Sequence, residues 1–135
     1  MVKFTIPGIP VAKARPRMTK QGHAFTPSKT VNYENLVQYT YMDQMEGVKL
    51  EGPLEVGIKL YFPIPKSYTK KQREDISTGK LRYTKKPDVD NCIKSITDAL
   101  NGFAYDDDSQ IIAIIAQKHY TDEEPRAEVM IQEVE

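Results

Sequence analysis

Two acidic stretches stand out for what their side chains could do together. The first is Lys85-Lys86-Pro87-Asp88-Val89-Asp90-Asn91-Cys92-Ile93-Lys94, and the second is Tyr105-Asp106-Asp107-Asp108-Ser109-Gln110. Asp88-x-Asp90 falls at the mouth of a helical pattern, Lys94 follows one turn later, and the second acidic run comes after the pattern ends. Carboxylates gathered in this way bind hard divalent cations through oxygen, and such cations beside a basic surface point to chemistry on phosphate. Each residue alone has a plainer account. Asp88 can cap a helix, and Asp90 in the first turn answers the helix dipole. Lys94 can pair with Asp90 as an i,i+4 contact worth ~0.3–0.5 kcal/mol. A cap, however, needs one acid, and here there are two with a single residue between them.

Asp108 can join them only if the chain folds back. A helix of twelve residues rises ~18 Å. The eight residues from Asn101 to Asp108 can reach ~26 Å when extended, so a return to the helix N-terminus is within range. Two carboxylates at ~4 Å repel by ~4 kcal/mol at an effective dielectric of 20. A cation or a raised pKa must relieve such a cluster. Mg²⁺ suits it, because it uses few carboxylates and keeps waters that substrate oxygens can share. Other sites fit less well. An EF-hand begun at Asp88 would place Cys92 and Ile93 where a ligand and the turn glycine belong. With only His23 and His119 there is no three-histidine zinc site, and His119 reads as structural. No phosphate-binding glycine loop is present, so no nucleotide cofactor is expected.

The elements that must position these groups are legible from periodicity. Val2 to Pro7 alternate and stop at Pro7-Gly8, a first strand. A loop through Pro10, Pro16 and Pro27 follows, and Ser28 is the expected N-cap of a helix to about Glu46, ended by Gly47. Tyr33, Val37, Tyr41 and Met45 recur every four residues beside Leu36, a core-facing stripe. Residues 54–62 alternate with Leu54, Val56, Ile58, Leu60 and Phe62 on one face, a half-buried strand. A long polar connection spans 63–86, with a short helix near Thr69–Ile76; connections of this length inside a compact domain are usually functional or mobile. The helix from Val89 to Leu100 is expected to bury Val89, Cys92, Ile93, Ile96, Ala99 and Leu100, with Asn101-Gly102 as its stop. Ile111 to Ala116 is apolar on both faces and reads as a central strand. Ala127, Val129 and Ile131 mark a last strand. The expected class is therefore α+β, a small mixed β-sheet with helices packed against it, in a single domain over 1–135.

Composition narrows the classes further. With 135 residues the chain can build one real core, and its apolar fraction of 39% is ordinary for a globular protein. No apolar run approaches the ~20 residues of a membrane span, so no membrane partner is expected. Cys92 is the one cysteine, which rules out an intrachain disulfide and a cysteine-based zinc site. Together with the absence of an apolar N-terminal block, this makes a cytoplasmic setting the expectation. The net charge is zero, yet it is segregated. Residues 1–33 hold no acid but carry Lys3, Lys13, Arg15, Arg17, Lys20 and Lys29. Residues 66–86 carry Lys66, Lys70, Lys71, Arg73, Lys80, Arg82, Lys85 and Lys86 against Glu74 and Asp75. A polyanion responds to that local field, not to the sum.

In their order and spacing these residues resemble the RusA family of Holliday-junction resolvases, often carried by phages and prophages. The match runs through Lys86-Pro-Asp88-Val-Asp90-Asn91-x-x-Lys94, Asp98-Ala-Leu100-Asn-Gly102 and Tyr105-x-Asp107-Asp108-Ser-Gln110. It includes Pro10-Val-Ala-Lys13-Ala-Arg15-Pro16-Arg17-Met18 and Phe25-Thr-Pro27. The resemblance implies a RusA-like fold, with Asp88, Asp90 and Asp108 as catalytic carboxylates and Lys94 as catalytic lysine. Asp107 is an alternative metal neighbour, since the Asp106-Asp107-Asp108 run leaves the register open by one. It also implies Mg²⁺-dependent cutting of both strands of branched, four-way DNA by a homodimer, with Mn²⁺ as a substitute. Lys13, Arg15, Arg17, Lys20, Lys70, Lys71, Arg73, Lys85 and Lys86 would then contact DNA. A flap- or branch-selective nuclease is the nearer alternative, and a DNA-binding module without catalysis the more distant one.

Overall fold

A computed structural model describes all of residues 1–135. The chain forms β1 (Val2–Pro7), a two-residue hairpin of β2 (Arg17–Met18) and β3 (Ala24–Phe25), α1 (Ser28–Met45), β4 (Leu54–Pro63), α2 (Lys70–Ser77), α3 (Val89–Ala99), a 3₁₀ turn (Asp108–Gln110), β5 (Ile111–Thr121) and β6 (Arg126–Glu133). The main sheet has the order β1-β6-β4-β5. β6 runs antiparallel to both β1 and β4, whereas β5 runs parallel to β4. The architecture is α+β with a mixed sheet, as the alternation of patterns predicts.

Alternation dictates which sheet face is covered. Val2, Phe4 and Ile6, then Leu54, Val56, Ile58, Leu60 and Phe62, then Ala127, Val129 and Ile131 are all buried on one face. α1 and α3 close over it with Tyr33, Val37, Tyr41, Cys92, Ile96 and Ala99. Phe4 meets Tyr41 edge to face at 5.1 Å. Each fully buried aliphatic side chain contributes roughly 1.5–3 kcal/mol, so this one layer holds both helices in place. At the end of α1, Glu46 and Gly47 take positive φ of 52° and 73°, and the tyrosyl hydroxyl of Tyr41 donates to the carbonyl of Val48.

Three local expectations change. Ser28 is the first helical residue rather than the cap; Pro27 holds the cap position and offers no side-chain acceptor. Val89 and Ile93 are only partly buried against the core. The larger correction concerns β5, which is an edge strand and not a central one. Its apolar stretch is open to solvent, with Ile112 64% and Ile115 71% exposed. Period and composition report how apolar the faces are, but not the lateral order of strands. Here β6 enters between β1 and β4 and leaves β5 outside.

Candidate active site

α3 carries the chemistry, and its two ends are built differently. Asp88 sits at the N-cap in extended conformation (φ −69°, ψ 142°), yet its side chain makes no capping hydrogen bond. Asp90 and Lys94 are also exposed, and no ion pair joins them. The cap expected of Asp88 and the Asp90–Lys94 surface pair are therefore not realised, while Asp90 does stand in the first turn of α3. Two segments frame this end. The Lys118 ammonium on β5 donates to the carbonyls of Lys85 (2.8 Å) and Pro87 (3.0 Å), fixing the residues just before Asp88. On the other side the Lys13 amide donates to the Asn91 carbonyl at 2.8 Å, and the Ser95 hydroxyl donates to that of Val11 at 2.6 Å. Cys92 lies buried beneath, its thiol pushed up to about 11 by burial, with Lys118 opposing and Asp88 and Asp90 adding.

The second acidic run divides its labour. Asp106 pairs with Lys49 at 2.7 Å. Asp107 caps the 3₁₀ turn, accepting from the Ser109 amide at 3.1 Å, and hydrogen bonding from Ser109 holds its carboxyl below the usual range. Asp108 instead has its amide held by the Asn101 side-chain oxygen at 2.8 Å. Its carboxyl lies within hydrogen-bonding reach of Asp98 and is raised by burial first, then by Asp107 and Asp98. Asp98 is in turn 3.5 Å from the Lys13 ammonium, which binds Glu34 at 3.1 Å.

Asp108 is thus set against the C-terminal end of α3, not the N-terminal end. Asp88 and Asp98 are ten residues apart along the helix, about 15 Å of rise. No three carboxylate, histidine or cysteine side chains of one chain lie close enough together to hold an ion. The expected return of the chain stops short because Asn101 and the 3₁₀ turn catch Asp108 where α3 ends. Asp98 is the residue that reasoning from sequence passes over. Its signal is present: Asp90, Lys94 and Asp98 recur at i, i+4 and i+8, on neighbouring positions of one helix face.

Most of the predicted basic contacts are on the surface. Arg15, Arg17, Lys20, Lys70, Lys71, Arg73, Lys85 and Lys86 are exposed. Lys71 pairs with Asp75 at 3.1 Å, and Arg73 donates to the Pro65 carbonyl at 3.3 Å. Lys13 differs, since its ammonium is engaged by Glu34 and Asp98 and is 24% exposed. The 66–86 connection is anchored rather than loose. Tyr83 stacks on Phe62 at 4.3 Å and donates to the Lys86 carbonyl at 2.7 Å. The hydroxyls of Tyr68 and Tyr120 meet at 3.0 Å. α2 has the capping box of Thr69 and Gln72. His119 stacks on Tyr61 at 5.3 Å, and burial lowers its pKa.

A concavity of about 680 Å³ lies on the uncovered sheet face around Gly57, Ile115 and Met130, and none of Asp88, Asp90, Lys94 or Asp108 lines it. An enclosed pocket is what a small molecule needs; an exposed helix end between basic segments suits a long polyanion. No helix is long and apolar enough to cross a membrane.

The chain is 41% identical over 138 aligned residues to the uncharacterized protein YqaN of Bacillus subtilis (strain 168), covering 98% of this chain and 96% of that protein. The family model described as endodeoxyribonuclease RusA matches residues 7–132, which takes in both basic segments, all of α3 and the second acidic run. The chain belongs to the RusA endodeoxyribonuclease family, and is on that ground a nuclease.

Proposed function

We propose that the protein is a Mg²⁺-dependent, structure-selective endonuclease that resolves four-way DNA junctions by paired, symmetric phosphodiester hydrolysis. The observation that carries this reading is the N-terminal end of α3. Asp88 makes no cap and Asp90 no ion pair, Lys94 is unpaired, and the loop through Lys13 and the segment through Lys85 and Lys86 adjoin it. Those two carboxylates fit a hard cation, because Mg²⁺ binds through one or two carboxylates and retains waters; Mn²⁺ would substitute. The ion would supply Lewis-acid neutralisation of charge on phosphate oxygens.

The chain's own groups do the rest. Lys94 lies about 6 Å along the helix from Asp90 and sets a fixed positive charge near the phosphate being cut. Arg15, Arg17 and Lys20 on one flank, and Lys70, Lys71, Arg73, Lys85 and Lys86 on the other, hold neighbouring phosphates. Asp108 is the third catalytic carboxylate, with Asp107 left to its capping role. Two symmetric cuts call for two active sites, so the working unit is a homodimer.

The experiment is a four-way junction incubated with the protein in EDTA or in Mg²⁺. Binding should persist in EDTA, and paired, religatable nicks should form only with the ion. Binding with no cutting in any divalent cation would favour a DNA-binding module, and a flap cut as fast as the junction would favour a branch-selective nuclease.

A further inference from the structure

β5 places a lysine where the sheet otherwise turns uncharged side chains toward the helices. In the parallel pairing of β4 with β5, Ala116, Lys118 and Tyr120 stand opposite Ile58, Leu60 and Phe62, which are buried on the covered face. Side chains alternate between faces along a strand, so Lys118 belongs to the covered face, and it is half-buried there. Its ammonium meets no carboxylate; the ion pairs of the chain use Lys13, Lys49, Lys71 and Arg126. It lies over the ring of Tyr83, 5.2 Å from the centroid. It is also close enough to Cys92 to oppose the rise that burial gives that thiol.

Stability alone is a poor reason for this placement. Burying an unpaired cation even in part costs solvation, and the start of a helix favours an anion over a cation. What Lys118 holds is main chain. It donates to the carbonyls of Lys85 at 2.8 Å and Pro87 at 3.0 Å. The Tyr83 hydroxyl donates to the carbonyl between them, that of Lys86, at 2.7 Å. Each carbonyl of 85–87 is thus tied to a side chain, and the next residue is Asp88. Tyr83 is itself stacked on Phe62 of β4 at 4.3 Å, which roots the clamp in the sheet. Asp90 is placed by α3, but Asp88 is at the N-cap with extended backbone and no side-chain bond. Its direction comes from the clamped segment.

We propose that Lys118 is a positioning residue for the carboxylate pair. With Tyr83 beside it, it fixes the turn from which Asp88 projects, and so sets Asp88 and Asp90 for one cation. The cation rests on the nuclease reading above; the clamp does not.

Lys118→Met keeps the aliphatic stem and deletes every donor. Mn²⁺ titration followed by electron paramagnetic resonance, with no DNA present, should show affinity weakened by about 10- to 100-fold, the scale for residues that support metal ligands. With junction and Mg²⁺, kcat should fall on the same scale while KM and junction affinity in EDTA stay within about twofold. A tie that serves the fold alone would lower the denaturant midpoint and leave Mn²⁺ affinity untouched. Tyr83→Phe removes one hydroxyl and keeps the ring; it should move the same quantities by about 2- to 10-fold, as one hydrogen bond does. Native Mn²⁺ affinity in folded Lys118→Met, or in Tyr83→Phe should the former not fold, overturns the positioning role. Junction affinity in EDTA that falls in step with kcat makes Lys118 a DNA contact, and overturns it too. Weakened Mn²⁺ binding in variants of a protein whose native form cuts no DNA keeps the clamp and sinks the nuclease reading alone.

Discussion

The two ends of α3 hold the same kinds of residue in opposite circumstances. At the C-terminal end Asp98 and Asp108 crowd together, and the protein resolves the repulsion internally: Lys13 neutralises one side, and the Asp108 carboxyl is raised toward its neutral form. At the N-terminal end Asp88 and Asp90 have no cation, no cap and no burial. Like charges repel even near the surface, and within the chain only the dipole at the start of α3 answers them, with no cation paired to either acid. One end is finished by folding. The other has no such internal compensation for its acids.

The sharpest way to break that comparison is to neutralise one acid at the unfinished end. Asp90→Asn should lower cutting by at least ~10²-fold, the usual scale for a ligand or its supporting group. It should leave junction affinity equal or tighter, because one negative charge is gone from a DNA-facing surface. Stability should stay within about 0.5 kcal/mol, as for other exposed substitutions. Gel-shift, nicking and denaturant titrations on one preparation separate the three. Equal loss of binding and cutting in a folded protein would show that the exposed pair is not special.

A smaller effect sharpens the same contrast on the basic flank. Arg15 and Arg17 are exposed and form no ion pair, so their charge is open to phosphate. Arg15→Ala combined with Arg17→Ala should weaken junction binding and reduce the slope of log K against log salt by about two. A binding series across salt concentrations measures it; an unchanged slope would move the DNA surface to another part of the molecule.

How much of this was legible beforehand follows from what periodicity can encode. Leu54 to Phe62 announced β4 and its buried face, and Tyr33, Val37 and Tyr41 announced the packed stripe of α1, because burial imposes the repeat directly. The lateral place of β5 was not readable, since Ile111–Ala116 would look the same with a strand or with a second molecule beside it. The acidic residues themselves were visible, but not their grouping. That depended on Asn101 seizing the Asp108 amide and on Asp107 capping the turn, contacts between residues seven apart and two apart whose outcome no repeat records. Asp98 was passed over for a different reason: its i, i+4, i+8 spacing with Asp90 and Lys94 was visible, but the Lys13 and Asp108 that meet it come from other parts of the chain.

Lys13 gives the finest test, because sequence and structure assign it differently. As one of a basic run it is expected to contact DNA, yet its ammonium lies between Glu34 and Asp98, with side chains 24% and 17% exposed for the first pair. Removing one member of a half-buried charge cluster leaves the others under-compensated, a loss of roughly 1–3 kcal/mol. Lys13→Met keeps much of the aliphatic stem and deletes the charge. It should therefore lower the denaturant midpoint with an unchanged m-value, while leaving the salt slope of junction binding where it was. The opposite pattern, full stability with a slope reduced by about one, would return Lys13 to the DNA surface. It would also mean that the C-terminal end of α3 is less self-contained than its contacts make it.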